Sequence, residues 1–194
     1  SSDWEKIVSK MGISKDDEIV VYDNSDVLSS CRCWYNFIYF GHNDKLIHVL
    51  NGGLKKGKFE NKPTTNIISK FNPTKYTAFE RKNLVKNKKE INENINSEKF
   101  KVIDARSRER FEGKVAEPRK GLRSGSIPKS MCVPFGDLIN NDNTFKNENE
   151  ILNVFKNTLG EEITTNIVFS CGSGVTASVL ALAYSLINNK YMPT

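Results

Sequence analysis

The stretch TNIVFSCGSGVTASVLALAYSLINN, residues 165–189, decides the fold. Its first six residues form an apolar, β-branched run that predicts a buried strand, and residues 176–189 have the apolar spacing of a helix. Between them, CGSGVT places a thiol, Cys171, directly after the strand and before the helix. Because open parallel α/β sheets bind ligands at the carboxyl ends of their strands, we expect an α/β fold with its functional site at Cys171.

The residues that follow Cys171 suit an anionic sulfur. Gly172 and Gly174 allow a tight turn that aims successive N–H groups inward, at the start of a helix. These N–H groups and the helix dipole favour negative charge, so a cysteine here is stabilised as a thiolate without a neighbouring histidine. The alternative is an inert, buried cysteine in a glycine turn.

Three other enzyme classes with a loop at this place fit less well. A cysteine-dependent phosphatase needs an arginine where this chain has Ala177, and the Gly-Lys-Ser/Thr of a phosphate-binding P-loop is absent. Gly172-x-Gly174-x-x-Ala177 fits the loose dinucleotide fingerprint, but no Asp or Glu follows Glu162 to bind a ribose. The sequence therefore predicts no bound cofactor.

The first part of the chain repeats the pattern around Cys171. Residues 18–22 (EIVVY) predict a strand, residues 27–40 a helix and residues 45–50 a second strand, a strand–helix–strand unit with parallel pairing. Asp23 stands after the first strand, in the place that Cys171 occupies later. Such an internal echo predicts two copies of one α/β unit, of which only the second carries a thiol.

Composition narrows the function further. The formal charge is +6, but the lysines are scattered and no nucleic-acid motif is present, so we expect a solvated basic surface. The longest nearly apolar run, residues 179–187, is shorter than the roughly 20 residues of a membrane helix. With two histidines and no second pair at zinc spacing beside Cys31 and Cys33, we expect no metal and unpaired thiols. No apolar signal core opens the sequence, so we expect a cytoplasmic protein, with a mitochondrial location as the alternative.

Motifs along nearly the whole chain carry a resemblance to the tandem-domain rhodanese family, and within it to the 3-mercaptopyruvate and thiosulfate sulfurtransferases. Those similar to its second domain are, in order, Val102-Ile-Asp104-Ala-Arg106, Arg110-Phe111-x-Gly113, Glu117-Pro118-Arg119, Gly125-x-Ile127-Pro128, Val133-Pro134 and the Cys171 loop. Those similar to the back half of its first domain are Val20-Val-Tyr-Asp23, Arg32-x-Trp34, Phe40-Gly41-His42 and Val49-Leu-x-Gly52-Gly53.

The resemblance implies a rhodanese-like parallel sheet flanked by helices, in two related domains. Residues 1–62 would be the C-terminal part of a non-catalytic domain, residues 63–98 a linker and an exposed helix over about 82–96, and residues 99–194 a catalytic domain whose last strand is missing. Within the catalytic domain we expect strands at 99–104 and 165–170, a long ordered loop at 107–130 and a helix at 148–159.

The resemblance also implies a chemistry. Cys171 would take sulfur from 3-mercaptopyruvate as a persulfide, release pyruvate and pass the sulfur to cyanide or a thiol such as thioredoxin or glutathione. Ser173 matches a proton-relay residue, Arg110 and Arg119 match the arginines that hold the substrate carboxylate, and Arg106 is expected to be structural. Four further residues of the loop would complete the substrate site: Gly172, Gly174, Val175 and Thr176.

Two other functions stay open. A thiosulfate–cyanide sulfurtransferase is disfavoured, because thiosulfate-preferring relatives usually have Arg-Lys where this chain has Gly172-Ser173. A rhodanese-like binding or regulatory module with little turnover is the alternative outside enzymes. The chain also departs from the family at Ser126 and Lys129, where the family usually has His and Gly.

Overall fold

The computed structural model describes residues 1–161 and 163–194. Contacts divide the chain into a first unit, Ser1–Leu84 with Asp142–Thr144, and a second unit, Val85–Asn141 with Phe145–Thr194. The sequence predicts a linker from residue 63 onward; contacts group residues 63–84 with the first unit, and of these Tyr76 and Leu84 are buried. Within the described ranges, no helix has the length and apolar character needed to cross a membrane.

The first unit is built on a parallel strand pair. Strand β1 (Ile19–Val21) pairs with β2 (Ile47–Val49), with Ile19 opposite Ile47, as the strand–helix–strand pattern predicts. The helices of this unit are α1 (Ser2–Lys10), α2 (Ser30–Tyr39) and α3 (Gly53–Phe59). Neither α1 nor α3 is predicted from the sequence pattern.

Helix α2 begins at Ser30, three positions later than predicted, because Asp23 acts as its cap. The Asp23 carboxylate accepts hydrogen bonds from the N–H groups of Ser25 and Ser30. A turn at residues 26 and 27 separates Ser25 from Ser30, so both N–H groups can reach the same carboxylate.

The second unit contains a three-stranded parallel sheet in the order β4-β3-β5. Its strands are β3 (Lys101–Asp104), β4 (Met131–Cys132) and β5 (Ile167–Ser170), and its helices are α4 (Lys88–Ser97), α5 (Arg108–Phe111), α6 (Glu148–Leu159) and α7 (Val175–Ile187). Asp104 lies opposite both Cys132 and Ser170, so the carboxyl ends of the three strands are level. The residue after Ser170 is Cys171, which therefore lies at the ligand-binding edge of the sheet.

Helix α7 is held firmly against this sheet. The rings of Phe155 on α6 and Tyr184 on α7 meet edge to face with centroids 4.9 Å apart, and Phe169 of β5 lies 5.7 Å from Tyr184. Val179 and Ala183 of α7 are fully buried, whereas Leu186 near its end is 46% exposed. This packing fixes the start of α7 beside the end of β5.

Candidate active site

Cys171 opens a tight turn between β5 and α7, and we call residues 171–176 the Cys171 loop. The N–H of Gly174 donates a hydrogen bond to the Cys171 sulfur at 3.0 Å. Gly174 has φ +80°, a left-handed conformation that glycine adopts without strain and that turns the chain into α7. The thiol is half-buried, so it is shielded yet reachable from solvent.

Electrostatics around the sulfur favour the thiolate. Burial raises the pKa of the Cys171 thiol, but hydrogen bonds from the Thr176 hydroxyl and from the N–H groups of Ser173, Ala177 and Gly174 lower it by more. The pKa therefore lies below its usual value of 9.0. A thiolate, not a thiol, is the nucleophile of cysteine chemistry, so the loop prepares this residue to attack.

The other three cysteines are in the opposite situation. Burial raises the pKa of Cys31 to about 12 and that of Cys132 to about 11, and it also raises the pKa of Cys33. All four cysteines are free thiols, as the sequence predicts. Only Cys171 combines a lowered pKa with a place at the carboxyl end of a strand.

Arg110 lies against the Cys171 loop. Its Nη2 atom is 3.3 Å from the position that a Cβ atom on Gly172 would take. Its Nε and Nη2 atoms donate to the two carboxylate oxygens of Glu117 at 3.1 and 2.6 Å. The absence of a side chain at Gly172 thus allows a guanidinium group to approach the loop backbone.

The Arg106 guanidinium donates its hydrogen bonds to other residues of the chain, in line with its expected structural role. Its Nε and Nη2 atoms donate to the Asp104 carboxylate at 3.0 and 2.6 Å, and Nη1 donates to Glu117 at 2.8 Å. Nη2 also donates to the Gly125 carbonyl at 2.9 Å. With its donors used in this way and its side chain only 10% exposed, Arg106 is not available to a substrate.

The remaining candidate site residues are more exposed or belong to the start of α7. Arg119 is exposed and makes no hydrogen bond or ion pair with the part of the chain that the structure describes, so no such contact links it to the loop. Ser173 is exposed, and its hydroxyl makes no hydrogen bond to any described residue. Val175 and Thr176 form the first turn of α7.

Glu117 is the residue of this site to which the sequence analysis assigned no role. It appears there only within the motif Glu117-Pro118-Arg119, yet its carboxylate joins Arg106 to Arg110. Glu117 is one of three glutamates among residues 107–130, a stretch rich in arginine and lysine, so composition alone does not single it out.

Comparisons with known proteins support this picture. The family model described as "Rhodanese-like domain" matches residues 87–191. A 3-mercaptopyruvate sulfurtransferase from Mus musculus is 33% identical over 185 residues, which cover 94% of this chain and 61% of the relative. A thiosulfate sulfurtransferase from Rattus norvegicus is 34% identical over 179 residues, covering 91% of this chain and 59% of the relative.

A solved structure is also similar to this chain. The 3-mercaptopyruvate sulfotransferase SseA from Escherichia coli superposes with a TM-score of 0.80 at 25% identity, over 95% of this chain and 68% of that one. The chain therefore spans about three fifths of the length of the curated relatives that it matches.

Proposed function

This chain belongs to the rhodanese-like domain family, and from that premise we propose that it is a sulfurtransferase whose Cys171 carries sulfur from a small donor to an acceptor thiol. The observation that carries the proposal is the set of donors around the Cys171 sulfur, which lowers the thiol pKa at the carboxyl end of a parallel strand. Sulfurtransferases among its relatives support the same chemistry.

The proposed donor is 3-mercaptopyruvate. The Cys171 thiolate attacks the donor sulfur, an S–S bond forms, and the carbon–sulfur bond breaks. The electron pair of that bond stays on carbon as the enolate of pyruvate, which takes up the proton that the donor thiol releases. Ser173 is the proposed relay for this proton, because it is exposed, lies two residues from Cys171, and its hydroxyl makes no hydrogen bond to any described residue.

The second half-reaction returns the enzyme to its starting state. An acceptor nucleophile, either a thiolate or cyanide, attacks the outer sulfur of the persulfide, the S–S bond to Cys171 breaks, and Cys171 leaves as a thiolate. Thioredoxin, glutathione or cyanide is the proposed acceptor. The N–H groups of the Cys171 loop stabilise the sulfur anion in both halves, so one set of donors serves a covalent ping-pong cycle.

Arg110 is the proposed anchor of the donor carboxylate. Its guanidinium group lies beside Gly172, one residue from the nucleophile, and is 28% exposed. A planar, permanently charged side chain suits a carboxylate. Arg119 is the second proposed contact, and as an exposed side chain it has to become ordered when the substrate binds.

Thiosulfate is the second candidate donor, and the name of the rat relative supports it. The neutral residues Gly172 and Ser173 favour 3-mercaptopyruvate, since two added cations would suit the thiosulfate dianion better. A binding module without turnover is the remaining alternative. Release of sulfide from 3-mercaptopyruvate in the presence of a reducing thiol distinguishes an enzyme from such a module.

The deciding experiment is the intact mass of the protein after incubation with 3-mercaptopyruvate and no acceptor. We expect the mass to rise by one sulfur atom and to return to its starting value when a thiol is added. Cys171→Ser should show no gain, while Cys132→Ser, a matched change of a thiol with a raised pKa, should gain sulfur normally. A full gain in the Cys171→Ser protein would contradict the proposal.

A further inference from the structure

We propose that Glu117 is a positioning residue, which fixes the Arg110 guanidinium beside the Cys171 loop so that Arg110 meets the sulfur donor through one particular edge. The proposal rests on the proposed function and adds to it the residue that prepares the donor site. It concerns the first half-reaction only, because that is the step in which the carboxylate of the donor has to be held.

Glu117 leaves Arg110 one edge for a ligand. A guanidinium group can bind a carboxylate through Nε and one Nη, or through its two Nη groups. Glu117 occupies the first edge, with distances of 3.1 and 2.6 Å to Nε and Nη2. The second edge, Nη1 with the remaining proton of Nη2, is left for the donor, and its Nη2 end lies against Gly172.

Glu117 is itself held in place by Arg106. Its side chain is only 4% exposed, and the oxygen that binds Arg110 Nε also accepts a hydrogen bond from Arg106 Nη1 at 2.8 Å. Arg106 is anchored by the Asp104 carboxylate, which is buried at the end of β3. A row of alternating charges thus runs from the central strand of the sheet to the Cys171 loop.

This row fixes Arg110 before any substrate arrives. A free arginine loses side-chain entropy when a ligand immobilises it, and that loss weakens binding. Here the protein holds the guanidinium in place during folding, so donor binding orders less of the site. A purely structural role for Glu117 makes a different prediction, because a loosened loop would impair both half-reactions together.

Ping-pong kinetics separate these two roles. The kcat/KM for the donor reports the first half-reaction and the kcat/KM for the acceptor reports the second. For Glu117→Gln we expect the donor kcat/KM to fall about 10- to 100-fold, mainly through KM, the effect of losing a charge-assisted contact. We expect the acceptor kcat/KM and the rate of Cys171 alkylation by iodoacetamide to stay within about twofold of the unaltered protein. Glu112→Gln is the matched control, because Glu112 lies in the same loop and its one ion pair with the described residues is with Lys114 at the surface.

Two further variants keep the test decisive if Glu117→Gln folds poorly. Glu117→Asp keeps the charge but is too short to span both guanidinium groups, so its donor kcat/KM should fall while its acceptor kcat/KM stays within about twofold of the unaltered protein. Arg110→Lys keeps a cation without the forked geometry, and it should lose donor kcat/KM while the acceptor value is retained.

The outcomes distinguish failure of the positioning role from failure of the proposed function. Equal falls in the donor and acceptor values, or no fall in either, would overturn the positioning role and leave the sulfurtransferase proposal intact. Absence of a persulfide in the unaltered protein would overturn the proposed function, and this inference with it.

Discussion

Replacing Thr176 with valine tests the electrostatic basis of the site. The Thr176 hydroxyl is one of the donors that lower the pKa of Cys171 against the effect of burial, and valine keeps the shape without the hydroxyl. A hydrogen bond to a charged group contributes about 1.5–3 kcal/mol. Since about 1.4 kcal/mol corresponds to a tenfold change in an equilibrium constant, we expect the pKa of Cys171 to rise. At a pH below the pKa of both proteins, the thiolate fraction should fall by about 10- to 100-fold.

The rate of alkylation by iodoacetamide against pH measures this change directly, because only the thiolate reacts. The other cysteines contribute little near neutral pH, since burial raises the pKa of each. Thr158→Val is the matched control: that hydroxyl donates to the Val154 carbonyl within α6 and not to a thiol. We expect the control to leave the midpoint of the profile unchanged.

An unshifted midpoint in Thr176→Val would refute the role of the hydroxyl and assign the lowered pKa to backbone N–H groups alone. The stability of the protein gives a second readout. A cysteine whose folded pKa is lowered adds stability that is fully present above the unfolded pKa of about 9.0 and is lost as pH falls through the folded pKa. Thr176→Val should weaken that dependence of the unfolding free energy on pH.

Three further predictions concern the substrate contacts and the first unit. Arg110→Ala should lower the donor kcat/KM by about 10- to 150-fold, and Arg119→Ala by less, because the exposed Arg119 is ordered only on binding; equal losses in steady-state kinetics would contradict this difference. The double change Gly172→Arg with Ser173→Lys should shift the ratio of the two donors' kcat/KM values at least about tenfold toward thiosulfate. Both donors are measured at fixed ionic strength. The new side chain at position 172 has to displace the Arg110 guanidinium. Burial lowers the pKa of His42 below 6.5, so its contribution to the unfolding free energy should be fully present above pH 6.5 and be lost as pH falls through the folded pKa. A calorimetric pH series should show that the unfolding free energy of His42→Gln depends less on pH.

The elements that the sequence predicts well are those whose apolar spacing survives in the fold. The helix expected over residues 148–159 is α6, and the strands expected to end at residues 104 and 170 end there. Helix α1 was not predicted, because it is largely polar and buries only Val8. The start of α2 was placed too early, since the Asp23 carboxylate holds the Ser30 N–H from across the turn. Such a cap depends on three-dimensional geometry and not on periodicity.

In the candidate site, too, local features are visible in the sequence and side-chain contacts are not. A thiol between a strand and a glycine-rich turn is visible in the sequence, because the turn and the helix start are local features. The family resemblance separates Arg106 from Arg110, but the physical basis of the difference lies in side-chain partners that the sequence does not show: Arg106 is held by Asp104 and Glu117, whereas Arg110 keeps one edge free. Glu117 was overlooked for the same reason, since its role depends on contacts with side chains 11 and 7 positions away.

Each unit contains a strand followed by a turn and a helix, and the residue that the turn holds differs between them. In the first unit the Asp23 carboxylate accepts the N–H groups of Ser25 and Ser30, so the anion that this turn can hold is supplied by the chain itself. In the second unit the donors meet a sulfur atom, which changes charge and gains or loses a further sulfur during the proposed cycle. A carboxylate there would satisfy the donors permanently and leave them nothing to stabilise in a transition state. Cysteine keeps the donors available for an anion that forms and disappears, which is why we assign sulfur transfer to the second unit alone.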